Sequence, residues 1–312
     1  MNVLVFGGSG YIGKHVVAKL ISGGHSVTAH ARSPSSSDVV AELGATPWIG
    51  DVFDLSLVAA KAAAHDAVIW IAQLMLDEEH RVVRTLLDGL QGTGKVLVFT
   101  SGTSLMSIPT NGNWIENNFA EDEPFTPRRQ IAPRLEIETM VRDASGSGVR
   151  AIVVRPPLIW GNGGSKIISD FYHSARATGA VCYIGKGLNV YSNVHVEDLA
   201  ELYDRALDRG VSGALYHAVS GEVSYGVIAD RIARHLGVPT RSVTIEEGSE
   251  IWDKFMAGIV LCSCSRQRSP RARKDLAWQP QADRLDILDD CVHPAYAAQG
   301  ERSLPSWVRP GT

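Results

Sequence analysis

Gly7, Gly10 and Gly13 stand in the spacing G-x-x-G-x-x-G. Before them lies the apolar run Val3-Leu4-Val5-Phe6, and after them Ile12, Val16, Val17 and Leu20 recur at helical spacing. A strand, a glycine turn and a helix in that order suit an anion. The first glycine permits a tight turn, the second lets backbone approach a pyrophosphate, and the third lets helix and strand pack closely. Backbone N–H groups of the helix start then point at the phosphates, assisted by the helix dipole. A dinucleotide is therefore expected at residues 7–13.

The second strand-like run ends His30-Ala31-Arg32-Ser33. A carboxylate there would bond the adenosine ribose hydroxyls of NAD. The chain has Arg32 instead, whose guanidinium suits bidentate contact with a 2′-phosphate, so NADP is expected in preference to NAD. Arg32 also fits a solvated strand-end charge, or a guanidinium stacked on the adenine of either cofactor. Asp51, at the end of the third run, has two readings: an acceptor for the adenine amino group, or a cap for the helix starting near residue 54.

These residues need a scaffold that sets them along one edge. Strand-like runs at 2–6, 26–31, 46–49, 67–72, 95–100 and 150–155 alternate with helix-like segments at 11–22, 37–43, 54–64, 79–90 and 129–144. Strands so spaced imply an α/β fold of Rossmann type, a doubly wound parallel sheet with right-handed crossovers. Their continuous apolar character fits a sheet covered by helices on both faces. After Arg155 the regularity degrades at Pro156-Pro157 and Gly161-Asn162-Gly163-Gly164, with helices expected at 196–207 and 227–236 and a strand at 214–219. The expected organisation is a cofactor-binding core at 1–155, to which 191–220 return, and a smaller C-terminal substrate lobe built from 156–190 and 221–312.

Composition agrees with that class. Of 312 residues 45% are hydrophobic, enough for a large core, and 30 basic against 34 acidic side chains give a formal net charge of −4, which argues against nucleic-acid binding by bulk charge. Cys182, Cys262, Cys264 and Cys291 match neither a disulfide framework nor a zinc site, so no metal is expected. The first residues lack the basic start of a signal peptide, and no run approaches the ~20 apolar residues of a spanning helix. A cytoplasmic protein with no membrane partner is expected.

A second set of motifs runs through the chain: Gly50-Asp51, Thr100-Ser101-Gly102, Arg155-Pro156-Pro157-Leu158-Ile159-Trp160-Gly161, Val194-His195-Val196-Glu197-Asp198-Leu199-Ala200 and Leu276-Ala277-Trp278-Gln279-Pro280. With the glycine turn, and in this order, they resemble the extended and atypical branch of the short-chain dehydrogenase/reductase superfamily, the NAD(P)-dependent epimerase/dehydratase-like proteins. The resemblance implies a nicotinamide cofactor across the strand ends, touching Gly7, Ser9, Gly10, Tyr11, Ile12, Gly13, Arg32, Asp51, Val52, Ile71, Ala72, Thr100 and Arg134. It implies an oxidoreductase or epimerase/dehydratase-like enzyme. The substrate is either a small carbonyl or hydroxyl metabolite or a sugar-nucleotide-like compound. A homodimer through the helices bracketing the catalytic segment is also implied.

That superfamily's chemistry rests on Ser or Thr with Tyr-x-x-x-Lys: the tyrosine exchanges a proton with the substrate, and the lysine holds the nicotinamide ribose. Ser101 matches the serine. None of the 8 tyrosines has lysine four residues on. The matching segment is Gln130-Ile131-Ala132-Pro133-Arg134, with Glu138 setting the register. Gln130 and Arg134, four apart, are expected on one helix face. Arg134 keeps the ribose role, while Gln130 donates to a carbonyl but cannot shuttle a proton. Three readings stand: hydride transfer with the proton from water or another residue, an isomerisation or elimination that needs no tyrosine, or NADP binding without turnover by a sensor.

Thr103 is either a substrate contact or a turn hydroxyl. Glu116, Asp122 and Glu123 fall in a long segment, 101–128, of the length expected of a lid. Trp114, Trp160, Phe171 and Tyr172 are expected to line the substrate pocket, with Tyr172 a possible alternative proton donor. The run Arg266, Arg268, Arg271, Arg273 and Lys274 either holds an anionic substrate or forms a solvated helix face.

Overall fold

The computed structural model describes residues 1–284 and 286–298. The Pro-rich end of the expected C-terminal lobe, 299–312, lies outside them. In chain order the strands are β1 (Asn2–Phe6), β2 (Ser26–Ala31), β3 (Thr46–Ile49), β4 (Ala67–Trp70), β5 (Val96–Thr100), β6 (Ile108–Pro109), β7 (Arg150–Arg155), β8 (Leu158–Trp160), β9 (Val181–Ile184), β10 (Val190–His195), β11 (Leu215–His217), β12 (Gly221–Ser224), β13 (Thr240–Val243) and β14 (Ser263–Cys264). The helices are α1 (Tyr11–Ser22), α2 (Pro34–Glu42), α3 (Leu55–Ala63), α4 (Leu76–Leu90), α5 (Pro133–Asp143), α6 (Lys166–Thr178), α7 (Val196–Arg209), α8 (Tyr225–Leu236), α9 (Ile245–Ile251), α10 (Pro270–Leu276), α11 (Ile287–Asp290) and α12 (Pro294–Ala298).

Seven parallel strands make the central sheet in the order β11-β7-β5-β4-β1-β2-β3, as the alternation of elements predicts. The two-residue pleat sorts their side chains. Val3, Val5, Ile69, Val98 and Val154 point to the face covered by α1 and α7, packing on Val16, Leu20, Leu199 and Tyr203. Leu4, Phe6, Trp70, Phe99 and Val153 point to the other face, against Val58 of α3, Val83 and Leu86 of α4, and Ile137 and Val141 of α5. Apolar residues at every position thus reflect burial on two sides.

A second apolar core gathers Leu158, Trp160, Phe171, Tyr172, Tyr225, Ile228, Trp252, Ile287 and Tyr296. Around it run the small sheet β12-β10-β8 and the pair β13-β9. Helix starts depart from expectation where proline sets them. α2 begins at Pro34, three residues early, because Ser33 caps it by accepting from Ser36 N (3.2 Å) and proline suits the first turn. α5 begins at Pro133, four residues late, for the same reason at a different place.

Candidate active site

The glycine turn leaves β1 with Gly7 at φ +88°, a left-handed conformation that a side chain resists. Gly10 N donates to Gly7 O (3.1 Å), closing the turn. A Cβ on Gly13 would sit 2.0 Å from Gly7 O, so the helix reaches the strand only because residue 13 has none. Gly10 is the N-cap of α1 and offers no side-chain acceptor, leaving the first-turn N–H groups for an external anion. These features fit a pyrophosphate.

Tyr11, the first helical residue, turns away along α1. Its hydroxyl donates to Gly161 O (2.7 Å), and burial holds its pKa well above the usual phenol value. Asp290 grips the same loop, accepting from Gly161 N and Gly163 N (3.1 Å each) and from the Tyr296 hydroxyl (2.7 Å). The glycine turn is thereby braced against residues far along the chain. Ser9 and Ile12 are half-buried on the turn and the helix.

Beyond the turn, the strand ends line up as the topology requires. Arg32 is exposed after β2 and enters no ion pair among the described residues. Ser33, Ser35 and Ser36 cluster beside it at the start of α2, with Ser33 Oγ 3.0 Å from Ser35 Oγ and 3.1 Å from Ser36 Oγ. Asp51 accepts from Phe53 N (2.9 Å), while Asp54 caps α3 through Leu57 N (3.1 Å). The capping alternative for Asp51 therefore falls to Asp54. Val52 and Ile71 are buried, and Ala72 lies against Gly7, where an added Cβ would meet Ala72 N at 2.8 Å. The Thr100 hydroxyl is 2.6 Å from that of the buried Tyr203 below the sheet.

Ser101 and Thr103 follow β5 on a loop fixed by two backbone bonds, Ser101 N to Val154 O (2.8 Å) and Thr103 N to Pro156 O (3.1 Å). Both side-chain hydroxyls are buried and without a hydrogen bond among the described residues. Three residues not anticipated from sequence gather at Thr103. The Tyr191 hydroxyl faces the side chains of Thr103 and Ser265, and burial raises its pKa. Ser265 Oγ donates to Thr103 O (3.1 Å), and Gln267 Nε2 donates to Ser265 Oγ (2.9 Å), leaving Gln267 Oε1 buried and unpaired. Strand β10 and the turn after β14 supply these groups, so only the folded chain brings them to Thr103.

The Gln130–Arg134 pair does not form as expected. With α5 starting at Pro133, Gln130 sits in the preceding turn and is exposed, three residues before the first helical position. The cause is Pro133, which lacks an N–H and so settles in the first turn. Arg134 lies over the Phe99 ring (5.7 Å) and pairs with the fully buried Glu79 of α4 (2.6 Å). Glu79 also accepts from Trp70 Nε1 (2.9 Å); burial raises its pKa and the Arg134 charge opposes the rise. Glu138 and Arg155, buried side by side, form a bidentate pair, with Arg155 Nε 2.9 Å from Glu138 Oε1. This register residue therefore anchors α5 to β7.

The four aromatics expected in the substrate pocket scatter. Phe171 and Tyr172 belong to the second core, and Tyr172 donates to Cys291 O (2.9 Å), its pKa pushed up to about 12 by burial. Their apolar neighbours on α6 and α8 hold them in that core. Trp114 is exposed, under the Arg266 guanidinium (5.7 Å). Trp160 donates to Asn193 Oδ1 (2.9 Å) and lines a cavity of about 500 Å³ with His195, Glu197, Arg284 and Asp290, on the Tyr11 side of the loop. A groove of about 870 Å³ between α4 and α5 contains neither Ser101 nor Thr103. His195 caps α7 through Glu197 N (3.2 Å), a structural duty.

Residues 110–132 form neither helix nor strand, apart from one bridge between Phe119 and Gln267. Through that bridge the strap runs beside Gln267. Its acids pair with the basic run: Glu123 with Arg268 (2.5 Å) and Asp122 with Arg271. Arg266 donates to Ile115 O and Glu116 O (3.2 Å each). His217, at the end of β11, donates from Nδ1 to Arg268 O (3.0 Å); burial and the nearby Arg155 charge lower its pKa to about 3.

Among the described residues no cluster of His, Cys, Asp and Glu suits a metal, and no helix is long and apolar enough to cross a membrane. Over 306 residues the chain is 30% identical to an uncharacterised protein of Schizosaccharomyces pombe, covering 95% of this chain and 100% of that one. It is 27% identical over 238 residues to a decarboxylating sterol-4-alpha-carboxylate 3-dehydrogenase of Dictyostelium discoideum, covering 71% and 72%. The dTDP-glucose 4,6-dehydratase of Streptomyces venezuelae, solved with NAD and TYD bound, superposes with a TM-score of 0.75 at 20% identity, over 96% of this chain and 97% of that one. The profile of the NAD dependent epimerase/dehydratase family matches residues 3–219, across the glycine turn, the sheet and the loop of Ser101, and the chain belongs to that family.

Proposed function

We propose that this chain is an NADP-preferring oxidoreductase with an altered active site. The observation that carries the reading is the uncapped glycine turn at α1, with an exposed Arg32 and a serine-capped helix start at the neighbouring strand end. The turn would take the pyrophosphate. Arg32 and the Ser33–Ser36 hydroxyls would take a 2′-phosphate, which needs a cation and hydrogen-bond donors. A bound nicotinamide ring supplies or accepts hydride.

Within the chain, Ser101 Oγ and Thr103 Oγ1 are unpaired hydroxyls able to orient a substrate oxygen. Gln130 has no buried position from which to act, and Arg134 is committed to Glu79. Tyr191 faces Thr103, but burial raises its pKa and disfavours loss of its proton, so the proton is expected from water or another residue. The sterol dehydrogenase relative supports carbonyl or hydroxyl chemistry. We place the protein in the cytoplasm, acting as a homodimer. A second reading, an NADP sensor without turnover, is favoured by one observation: the Arg134–Glu79 pair occupies the residue that would hold the ribose.

Titration of NADPH and NADH against the purified chain tests the cofactor reading. Arg32→Ala is expected to weaken NADPH at least tenfold and NADH little; equal losses would sink the NADP preference. NADPH oxidation across a carbonyl panel separates enzyme from sensor, since a sensor binds and oxidises none.

A further inference from the structure

We infer that the substrate is an uncharged hydroxy-carbonyl compound and not a nucleotide-bearing anion, an inference that rests on reading Ser101 and Thr103 as the reacting end of the site. Three cations of the basic run, Arg266, Arg268 and Arg271, are already engaged. Arg266 holds Glu222 (3.0 Å), two strap carbonyls and the face of Trp114. Arg268 and Arg271 hold Glu123 and Asp122. Arg128 donates to Gly258 O (2.8 Å) and Ser263 Oγ (3.3 Å). Arg155, the buried cation nearest the strap rings, is matched by Glu138. Arg273 and Lys274 are exposed on α10, whose other side packs on α7 and β11.

Two buried acceptors, on Gln267 and His217, are without a partner among the described residues. Gln267 spends its amide N–H on Ser265, so Oε1 faces inward as an acceptor. His217 spends Nδ1–H on Arg268 O and stays neutral, so Nε2 is a second buried acceptor. Unpaired acceptors repel phosphate oxygens and are satisfied by a hydroxyl donor. Ser101 and Thr103 supply hydroxyls for a carbonyl oxygen. The half-buried rings of Phe119 and Phe125, 6.4 Å apart on the strap, offer apolar surface to the rest of the molecule.

The test is calorimetric titration of the full chain saturated with NADPH, using UDP, UDP-glucose and a panel of neutral ketones and hydroxy ketones. At least one hydroxy ketone is expected to bind with Kd below about 1 mM. UDP and UDP-glucose are expected to give no heat at that concentration. Gln267→Ala is expected to weaken the hydroxy ketone about tenfold, the size of one hydrogen bond. Saturable UDP-glucose binding, lost in Arg266→Ala, would overturn the inference, as would a panel with no neutral ligand. The comparison on the unmutated chain stands if either variant fails to fold. Titrating NADPH alone first separates the two readings: a chain that does not bind it refutes the proposed function instead.

Discussion

Burial of His217 makes the stability of the fold depend on pH. The imidazole is fully buried at the end of β11 and held neutral, with a pKa of about 3. An unfolded histidine titrates near 6.5. Its folded value is depressed, so the unfolded chain takes up a proton first, and stability is lost as pH falls below 6.5. Between pH 7 and pH 5 the unfolded side chain goes from mostly neutral to almost wholly protonated while the folded one stays neutral. Linkage then gives a loss of about 2 kcal/mol from this residue. For a chain of this size that is about 3 °C in Tm. His217→Asn keeps a donor for Arg268 O but cannot take up the proton. Thermal melts of both proteins at pH 7 and pH 5 read the effect as a difference of differences, in which other histidines cancel. The variant is expected to lose about 2 kcal/mol less than the parent on acidification. Equal losses would mean that His217 is not held neutral, and the unpaired Nε2 would lose its meaning.

Two further outcomes follow from close packing and from pairing. Gly13→Ala forces a Cβ to 2.0 Å from Gly7 O; overpacking of that order costs about 3 kcal/mol. NADPH affinity should fall at least tenfold in a fluorescence titration, and unchanged affinity would show that the turn does not hold the cofactor. Glu79→Ala strands the Trp70 indole N–H and the Arg134 charge, a loss of about 3 kcal/mol, whereas Glu79→Gln keeps an acceptor and should lose about 1 kcal/mol. Denaturation midpoints that do not separate the two variants would refute the pairing.

The sheet was legible because its pattern is local. Runs such as Val3–Phe6 and Val96–Phe99 are apolar at every position, and a parallel strand covered on both faces requires that. The glycine turn was legible for a related reason: its spacing is a backbone requirement written within seven residues. The catalytic segment was misread although its cause stood in plain view. Periodicity carried the helix back to residue 129, but Pro133 starts it later and leaves Gln130 outside. The polar set around Thr103 had no such signal, since Tyr191, Ser265 and Gln267 lie on two later segments. The basic run 266–274 was read as an anion site or a solvated face; Arg268 and Arg271 pair with strap acids 145 and 149 residues earlier and Arg266 with Glu222, 44 residues earlier, distances no spacing rule spans.

Tyr11, Gly161 and Asp290 have a consequence for the order in which the protein is made. The hydrogen bond from Tyr11 closes over 150 residues, and those from Asp290 close back over 129 and 127. Contacts of such separation pay a loop-closure cost before any reward. During synthesis the glycine turn leaves the ribosome well before Gly161, and Asp290 follows later still. A ribosome-bound chain of half length thus carries the cofactor motif complete in sequence but unsupported in space. A dinucleotide held at the turn would therefore reward only chains in which Gly161 and Asp290 have closed back onto it.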